Sequence, residues 1–151
     1  MESKELLQKA FVIGNVPVGI TYCFQEQCPL KDNCIHYLCS LYKADNVDKG
    51  YSVFPSALRD GKCKYFAALR IVKMAWGFDT LFEDVKVKDA PVLRAKMRTF
   101  LGSKGQYYRY KLGQLKLLPE QQEYIKHLFA QFGYENVEFE HFTEEIDFSK
   151  C

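Results

Sequence analysis

Residues 23–39 read CFQEQCPLKDNCIHYLC, and they hold four of the six cysteines of a 151-residue chain. The spacing is Cys23-x4-Cys28-x5-Cys34-x4-Cys39, and Cys63 follows 24 residues later. The chain starts MESKE, without the basic and apolar regions of a secretory signal, so we expect a cytoplasmic protein with reduced thiols. The cluster therefore favours a metal, redox or plain core role over disulfides.

Helical geometry narrows the ligand set. A helix is predicted from Asp32, and Cys39 lies within its apolar stripe. Around the helix axis, Cys34 is about 140° away from Cys39. These two thiols are not expected to reach one ion, so Cys39 is predicted to be a core residue and His36 a reserve ligand. The expected ligands are Cys23, Cys28, Cys34 and Cys63. Zinc is the expected ion, with an iron–sulfur cluster or no cofactor as the alternatives.

Length and composition predict one folded domain. An apolar content of 48% and 12 Phe exclude a disordered chain, and no apolar run is long enough to span a membrane. We expect an α+β, helix-dominated single domain over residues 1–151, with a β-hairpin and a Cys-rich N-terminal segment. The Cys-rich segment, residues 1–62, would pack on a body of helices and a hairpin, residues 63–148.

The positions of the elements follow from hydrophobic period and turn residues. Helices are predicted over residues 3–10, from Asp32, over 64–76, 79–85 and 90–102, and from Pro119 to Gly133. Residues 106–118 alternate like a hairpin around Leu112-Gly113-Gln114, and residues 136–142 read as a last strand. Residues 44–62 carry loop chemistry, including Asp60-Gly61.

Charge is unevenly distributed along the chain. Residues 86–116 hold nine bases and one acid, a net of +8, whereas residues 117–151 net −6, although the whole chain carries only +2. Two opposite blocks predict either mutual neutralisation within the fold or an anionic partner. The same blocks make self-association or a protein partner a reasonable expectation.

A nucleic-acid-binding winged helix is the first alternative. Three helices followed by a hairpin over residues 64–118 match that order, with the third helix in a major groove. The cations and rings that would contact phosphates and bases are Arg94, Arg98, Lys104, Tyr108, Arg109 and Lys111. A pI of about 8.1 is lower than is usual for a dedicated nucleic-acid binder.

An enzyme of unknown reaction is the second alternative. The chain shows no nucleophile elbow, no phosphate-binding Gly loop and no His-Glu-x-x-His motif, and no catalytic residue is predicted. His127 is expected to face solvent and His141 to be half-buried on a strand. The acidic residues between Glu138 and Asp147 are expected to form a solvent-exposed face.

Motifs along residues 20–148 resemble a known family. They are Cys23-x4-Cys28-Pro29-x4-Cys34, Pro55–Leu58, Gly61-Lys62-Cys63, Trp76–Phe82, Tyr107–Tyr110 and Pro119–Gln122. This pattern resembles an uncharacterised family of small gut-bacterial proteins, a domain of unknown function. The resemblance implies that Cys23, Cys28, Cys34 and Cys63 are shared and that Cys39 and Cys151 are not required. It supplies no activity, so the expected role is interaction or regulation around a structural zinc site.

Overall fold

The computed structural model describes residues 2–151, and its fold class is α+β, as predicted. The helices are α1 (Ser3–Ile13), α2 (Ile35–Tyr42), α3 (Ala90–Leu101), α4 (Lys104–Lys111) and α5 (Pro119–Gln131). The strands are β1 (Thr21–Cys23), β2 (Tyr51–Val53), β3 (Leu58–Arg59), β4 (Lys62–Cys63), β5 (Ile71–Trp76) and β6 (His141–Ile146). None of the helices formed by residues 2–151 has the length and apolar character needed to cross a membrane.

The chain divides into two compact units. The first runs up to Ile71 and includes Glu145–Cys151, and the second is Val72–Glu144. This division falls after Ile71, whereas the Cys-rich segment predicted from the sequence ends at residue 62. The reason is that residues 63–69 stay with the first unit, since the Leu69 amide donates to the carbonyl oxygen of Asn33 at 3.0 Å.

The first unit packs α1, α2 and the short parallel pair β1–β2 around one apolar cluster. Thr21 pairs with Tyr51 and Cys23 with Val53. The buried members of the cluster are Leu6, Leu7, Ile20, Tyr22, Ile35, Cys39 and Ile146. Strands of two or three residues have little stability of their own, so this cluster fixes their positions.

A β-hairpin is present in the first unit, but not where the sequence placed it. β3 and β4 are antiparallel, with Leu58 opposite Cys63 and Arg59 opposite Lys62. Asp60 and Gly61 form the turn with φ values of 52° and 73°. Positive φ at both central residues is what a two-residue hairpin turn requires, and Asp-Gly satisfies it. The loop predicted at Asp60-Gly61 is thus the turn of a hairpin.

The second unit contains α3, α4 and α5. Its fully buried side chains include Phe78, Leu93, Met97, Ile125 and Phe129. α5 starts at Pro119 as predicted, because proline suits the first helical position, and the Gln121 side chain accepts the Leu118 amide hydrogen at 2.9 Å. The predictions of α3 and α5 are confirmed within one or two residues at each end.

Two predicted helices are wrong. Residues 71–76 form β5, in which Ala75 exchanges both backbone hydrogen bonds with Leu117. This pairing, together with the β-branched Ile71 and Val72, favours a strand over the predicted helix 64–76. The helix predicted over 79–85 consists of turns, in which the amides of Leu81 and Phe82 bond only three residues back.

The hairpin predicted over residues 106–118 is also wrong, because residues 104–111 form α4. Ser103 caps this helix by accepting the Gln106 amide hydrogen at 3.1 Å. Gly113, with φ of 82°, ends it, and the amides of Gln114 and Leu115 return to the Arg109 carbonyl oxygen. The helix–helix–helix–hairpin order of a winged helix is therefore absent from residues 64–118.

The predicted last strand is displaced along the chain. It was placed at residues 136–142, and β6 begins at His141 and continues to Ile146. β6 pairs with β5 in a two-stranded sheet. The apolar alternation of Val137 and Phe139 instead reflects packing in the second unit, where Phe139 is buried and Val137 lies against the same core.

Replacement of Gly113 tests the end of α4. A Cβ there would lie 2.8 Å from ring atoms of Trp76, and φ is positive. We expect Gly113→Ala to lower the free energy of unfolding by about 2–4 kcal/mol. Gly133→Ala is the matched control, because its φ is also positive but nothing lies within 4 Å of the added Cβ. It should cost about 1 kcal/mol in urea titrations followed by circular dichroism, and equal losses would contradict the packing of Gly113 on Trp76.

A buried carboxylate, Asp147, fixes the C-terminal segment within the first unit. Its Oδ1 accepts hydrogen bonds from the amide and the hydroxyl of Ser149, and Oδ2 lies 3.5 Å from an Arg70 guanidinium nitrogen. We expect Asp147→Asn to lower the free energy of unfolding by about 1–3 kcal/mol, because the ion pair between Asp147 and Arg70 is lost. The exposed Glu144→Gln should change it by less than about 0.5 kcal/mol. Comparable effects of the two substitutions would contradict this role.

Candidate metal centre

The four cysteines chosen from the sequence line one small cavity of the first unit. Its volume is about 20 Å³, which is room for one water molecule or one ion. Cys23, Cys28, Cys34 and Cys63 line it together with Leu30, Lys31, His36, Tyr37, Val53, Tyr65 and Phe66. All six cysteines are free thiols. The fold thus brings together residues that are up to 40 positions apart, while Cys39 stays outside this cavity.

Two of these thiols accept a hydrogen bond from a backbone amide two residues further on. The Leu30 amide donates to Cys28 Sγ at 3.4 Å, and the Gln25 backbone hydrogen-bonds to the Cys23 thiol. The local chain turns back after each cysteine, as in the bond from the Cys28 amide to the Gln25 carbonyl oxygen at 3.2 Å. Amide hydrogens directed at sulfur stabilise the thiolate form, which is the form that ligates metals.

Cys34 and Cys63 are held by backbone pairing between two segments. Cys34 is the residue before α2, and it forms an isolated antiparallel bridge with Ala68. The Ile35 amide donates to the Ala67 carbonyl oxygen at 2.8 Å. The Phe66 amide donates to the Cys63 carbonyl oxygen at 3.2 Å. Cys34 also lies at the N-terminal end of α2, where the helix dipole favours an anion.

His36 lines the same cavity and is buried. Its Nδ1 lies 2.7 Å from the Thr21 carbonyl oxygen. A carbonyl oxygen can only accept a hydrogen bond, so Nδ1 carries a proton, and Nε2 is the nitrogen left to ligate a metal. Metal-bound histidines are commonly oriented by such a bond from their other nitrogen. His36 therefore stays available as the reserve ligand expected from the sequence.

The electrostatics of Cys23 show that the four thiols act on one another. Burial raises the pKa of Cys23 above its ordinary value, and negative charge on Cys34, Cys28 and Cys63 raises it further, while the Gln25 amide lowers it. A cation in the cavity would offset this mutual repulsion. Within residues 2–151, no three His, Cys, Asp or Glu side chains already stand at metal-ligating spacing.

Cys39 is a core residue, as the helical argument predicted. It is fully buried in the apolar cluster of the first unit. Burial raises the pKa of its thiol to about 12, so it is neutral at physiological pH. The sequence missed the surroundings of Cys63, although Asp60-Gly61 just before it is a strong hairpin signal that would have placed Cys63 on a strand.

The cations of the nucleic-acid alternative lie on two consecutive helices, not on a helix and a hairpin. Arg94 and Arg98 are on α3, and their guanidinium carbons lie 4.8 Å and 5.5 Å from the ring centroids of Phe82 and Tyr107. Both arginines thus pack on aromatic rings of the second unit. Part of the charge that would bind phosphates is engaged in this packing.

The remaining predicted nucleic-acid contacts are on α4. They are Lys104, Tyr108, Arg109 and Lys111. The ammonium group of Lys111 lies 3.7 Å from an Asp79 carboxylate oxygen and 5.9 Å from the Tyr108 ring centroid. Arg109 donates to the Gln106 side chain at 3.5 Å. Lys111 and Arg109 thus each have a partner within the second unit.

The two C-terminal histidines lie away from the cysteines in sequence and belong to the second unit. His141 is exposed, not half-buried as expected, and stacks on Trp76 with ring centroids 4.0 Å apart. His127 is exposed on α5, as expected, with its Nε2 3.3 Å from the Gln131 amide nitrogen. Neither arrangement supplies the base–nucleophile pair that would indicate catalysis.

Comparison with known proteins identifies the family but no activity. A family model described as a family of unknown function, DUF6078, matches residues 5–148. No curated protein and no solved structure matches the chain. The predicted resemblance to an uncharacterised family is confirmed, whereas the gut-bacterial source stays a prediction. Because the match covers nearly the whole sequence, the chain belongs to DUF6078, a family of unknown function.

Proposed function

We propose that Cys23, Cys28, Cys34 and Cys63 bind one zinc ion and that this ion is a structural part of a domain with an interaction or regulatory role. The observation that carries the proposal is the convergence of four thiols, from separate turns and strands, on one cavity of about 20 Å³. Two amide–sulfur hydrogen bonds support it, because they favour the thiolates that zinc requires.

Zinc binding requires contraction of this cluster. A tetrahedral site with Zn–S bonds of about 2.3 Å places neighbouring sulfurs about 3.8 Å apart. Cys23 and Cys63 sit on strands of two or three residues and Cys28 on a turn, whereas Cys34 directly precedes α2. The hairpin carrying Cys63 and the turn carrying Cys28 are the segments expected to close around the ion.

A structural role follows from the ligand set. Four cysteines complete the tetrahedron and leave no open position for a substrate or a reactive water molecule. The ion would connect β1, the turn at Cys28, the start of α2 and the β3–β4 hairpin. A four-cysteine cavity is also compatible with an iron–sulfur cluster, whose larger volume would demand a wider opening. The small volume favours a single ion.

Removal of single thiols tests the ligand set. We expect the purified chain to carry about one equivalent of zinc and Cys28→Ser or Cys63→Ser less than about a tenth of that, measured by elemental analysis. Cys151→Ser is the matched control, since Cys151 is exposed and lies outside the cavity, and it should retain the full equivalent.

Two results would decide against the zinc site. The first is a wild-type chain without zinc or iron, whose exposed and half-buried thiols all react freely with a thiol reagent before denaturation. The second is full metal content in Cys28→Ser and Cys63→Ser. Iron in place of zinc, with visible absorbance in an anaerobic preparation, would assign a cluster instead.

Chelation tests the structural role of the ion. We expect removal of zinc to lower the Tm by about 10 °C or more, because metal binding free energy contributes directly to folding of a site that the unfolded chain lacks. Readdition of Zn²⁺, but not of Mg²⁺, should restore the Tm. Cys28→Ser is the control, because a chain without the site should not respond to the chelator. An unchanged wild-type Tm would contradict the proposal.

A further inference from the structure

A second, larger cleft lies in the first unit next to the thiol cavity. Its volume is about 890 Å³, within the range of ligand-binding pockets. The side chains that define it are Tyr51, Phe54, Arg59, Lys64 and Tyr65. Tyr65 also lines the thiol cavity, as do His36 and Val53, which belong to both. The segments that carry the cysteines therefore also form a wall of this cleft.

Exposed aromatic rings are the first feature of the cleft. Tyr51, Phe54 and Tyr65 are 71%, 73% and 52% exposed. Rings with this much exposed surface leave apolar area in contact with water. Three of them at one cleft make an apolar patch, which is typical of a binding site, whereas single exposed rings are common on any surface. The three rings sit on β2, just before the turn at Pro55–Ala57, and just after β4. Tyr51 is thus held by a paired strand, and Phe54 and Tyr65 lie within two residues of one, while the rings stay accessible.

Positive charge is the second feature. Arg59 and Lys64 line the cleft, and none of the residues found to line it is Asp or Glu. The Nε–H of Arg59 donates to the Ser56 carbonyl oxygen at 3.3 Å, which orients the guanidinium group. The ammonium group of Lys64 lies 5.6 Å from the Tyr65 ring centroid. Because cations stand beside exposed rings, the cleft suits a ligand that is anionic and has flat aromatic faces.

We propose that this cleft binds single-stranded nucleic acid, with bases stacked on Tyr51, Phe54 and Tyr65 and phosphates near Arg59 and Lys64. Every base offers a π-face, and the backbone supplies one negative charge for each nucleotide. Three rings and two cations match a segment of a few nucleotides. A duplex does not fit this description, because its bases are already stacked on each other. The proposal stands on the cleft residues and is independent of the proposed zinc site.

Fluorescence anisotropy with labelled ten-nucleotide oligo(dT) and oligo(rU) tests this proposal on the purified full chain. We expect binding to the single strands that weakens as salt is raised from about 50 to about 200 mM, because counterions are released on binding. A blunt duplex of the same length should bind more weakly. Failure of both single strands to bind at the lower salt concentration would overturn the proposal.

Substitutions at the cleft locate the bound strand. Tyr51→Ala and Phe54→Ala should each weaken binding about tenfold, whereas Tyr51→Phe keeps the ring and should bind like the wild type. Lys64→Gln should weaken binding and reduce its salt dependence. Tyr124→Ala and Lys86→Gln are the matched controls, because both residues are exposed in the second unit, and neither should change the affinity. Circular dichroism would verify that each variant is folded.

Three further outcomes would overturn the cleft assignment. Loss of binding in Arg94→Ala and Arg109→Ala, with Tyr51→Ala unaffected, would move the site to the basic helices of the second unit. Preference for the duplex would exclude stacking. Equal affinity for a sulfated polysaccharide, unaffected by loss of the rings, would indicate a general anion site. Metal analysis of the same samples separates the two proposals, since a zinc-free chain whose binding depends on Tyr51 would retain the cleft and lose the zinc site.

Discussion

The first unit depends on a short stretch of backbone pairing between residues 33–35 and 67–69. The Ile35 amide bonds to the Ala67 carbonyl oxygen and the Leu69 amide to that of Asn33, at 2.8 and 3.0 Å. Each such bond contributes only about 1 kcal/mol net. The pairing nevertheless closes a loop of more than thirty residues, because Ile35 is fully buried and anchors one side in the apolar cluster. Through this closure the hairpin that carries Cys63 comes to lie beside Cys34.

The six thiols illustrate how strongly environment separates chemically identical side chains. Cys39 is enclosed by apolar groups, and burial holds its pKa at about 12, so it behaves as a small hydrophobic residue. Cys23 is also desolvated, but an amide hydrogen bond acts in the opposite direction and three other thiols surround the same cavity. Such a cluster is electrostatically costly when deprotonated and gains most from a cation. The difference arises from the neighbours and not from the residue type.

Aromatic rings serve different purposes in the core of the second unit and in the cleft of the first. In the second unit, Phe78 and Phe129 are fully buried, and Arg94 and Arg98 cover rings at its surface. In the first unit, rings of the same kind remain exposed along β2 and after β4. The strong positive charge of residues 86–116 therefore contributes partly to packing, while Arg59 and Lys64 of the first unit stand beside accessible rings. Net charge along the chain is a poor guide to where cations and accessible rings lie together.

The sequence by itself determined the fold class, α3 and α5, the core position of Cys39 and the four cysteines to consider together. These follow from local rules, namely helical period, proline at a first helical position, and the angle between two residues of one helix. Only the tertiary structure decided that residues 71–76 are a strand, because Ala75 bonds to Leu117, and that residues 104–111 are a helix. It also brought Cys63 to the other thiols and opened the aromatic cleft beside them. Such features depend on partners distant in sequence, which no local pattern of period or turn can specify.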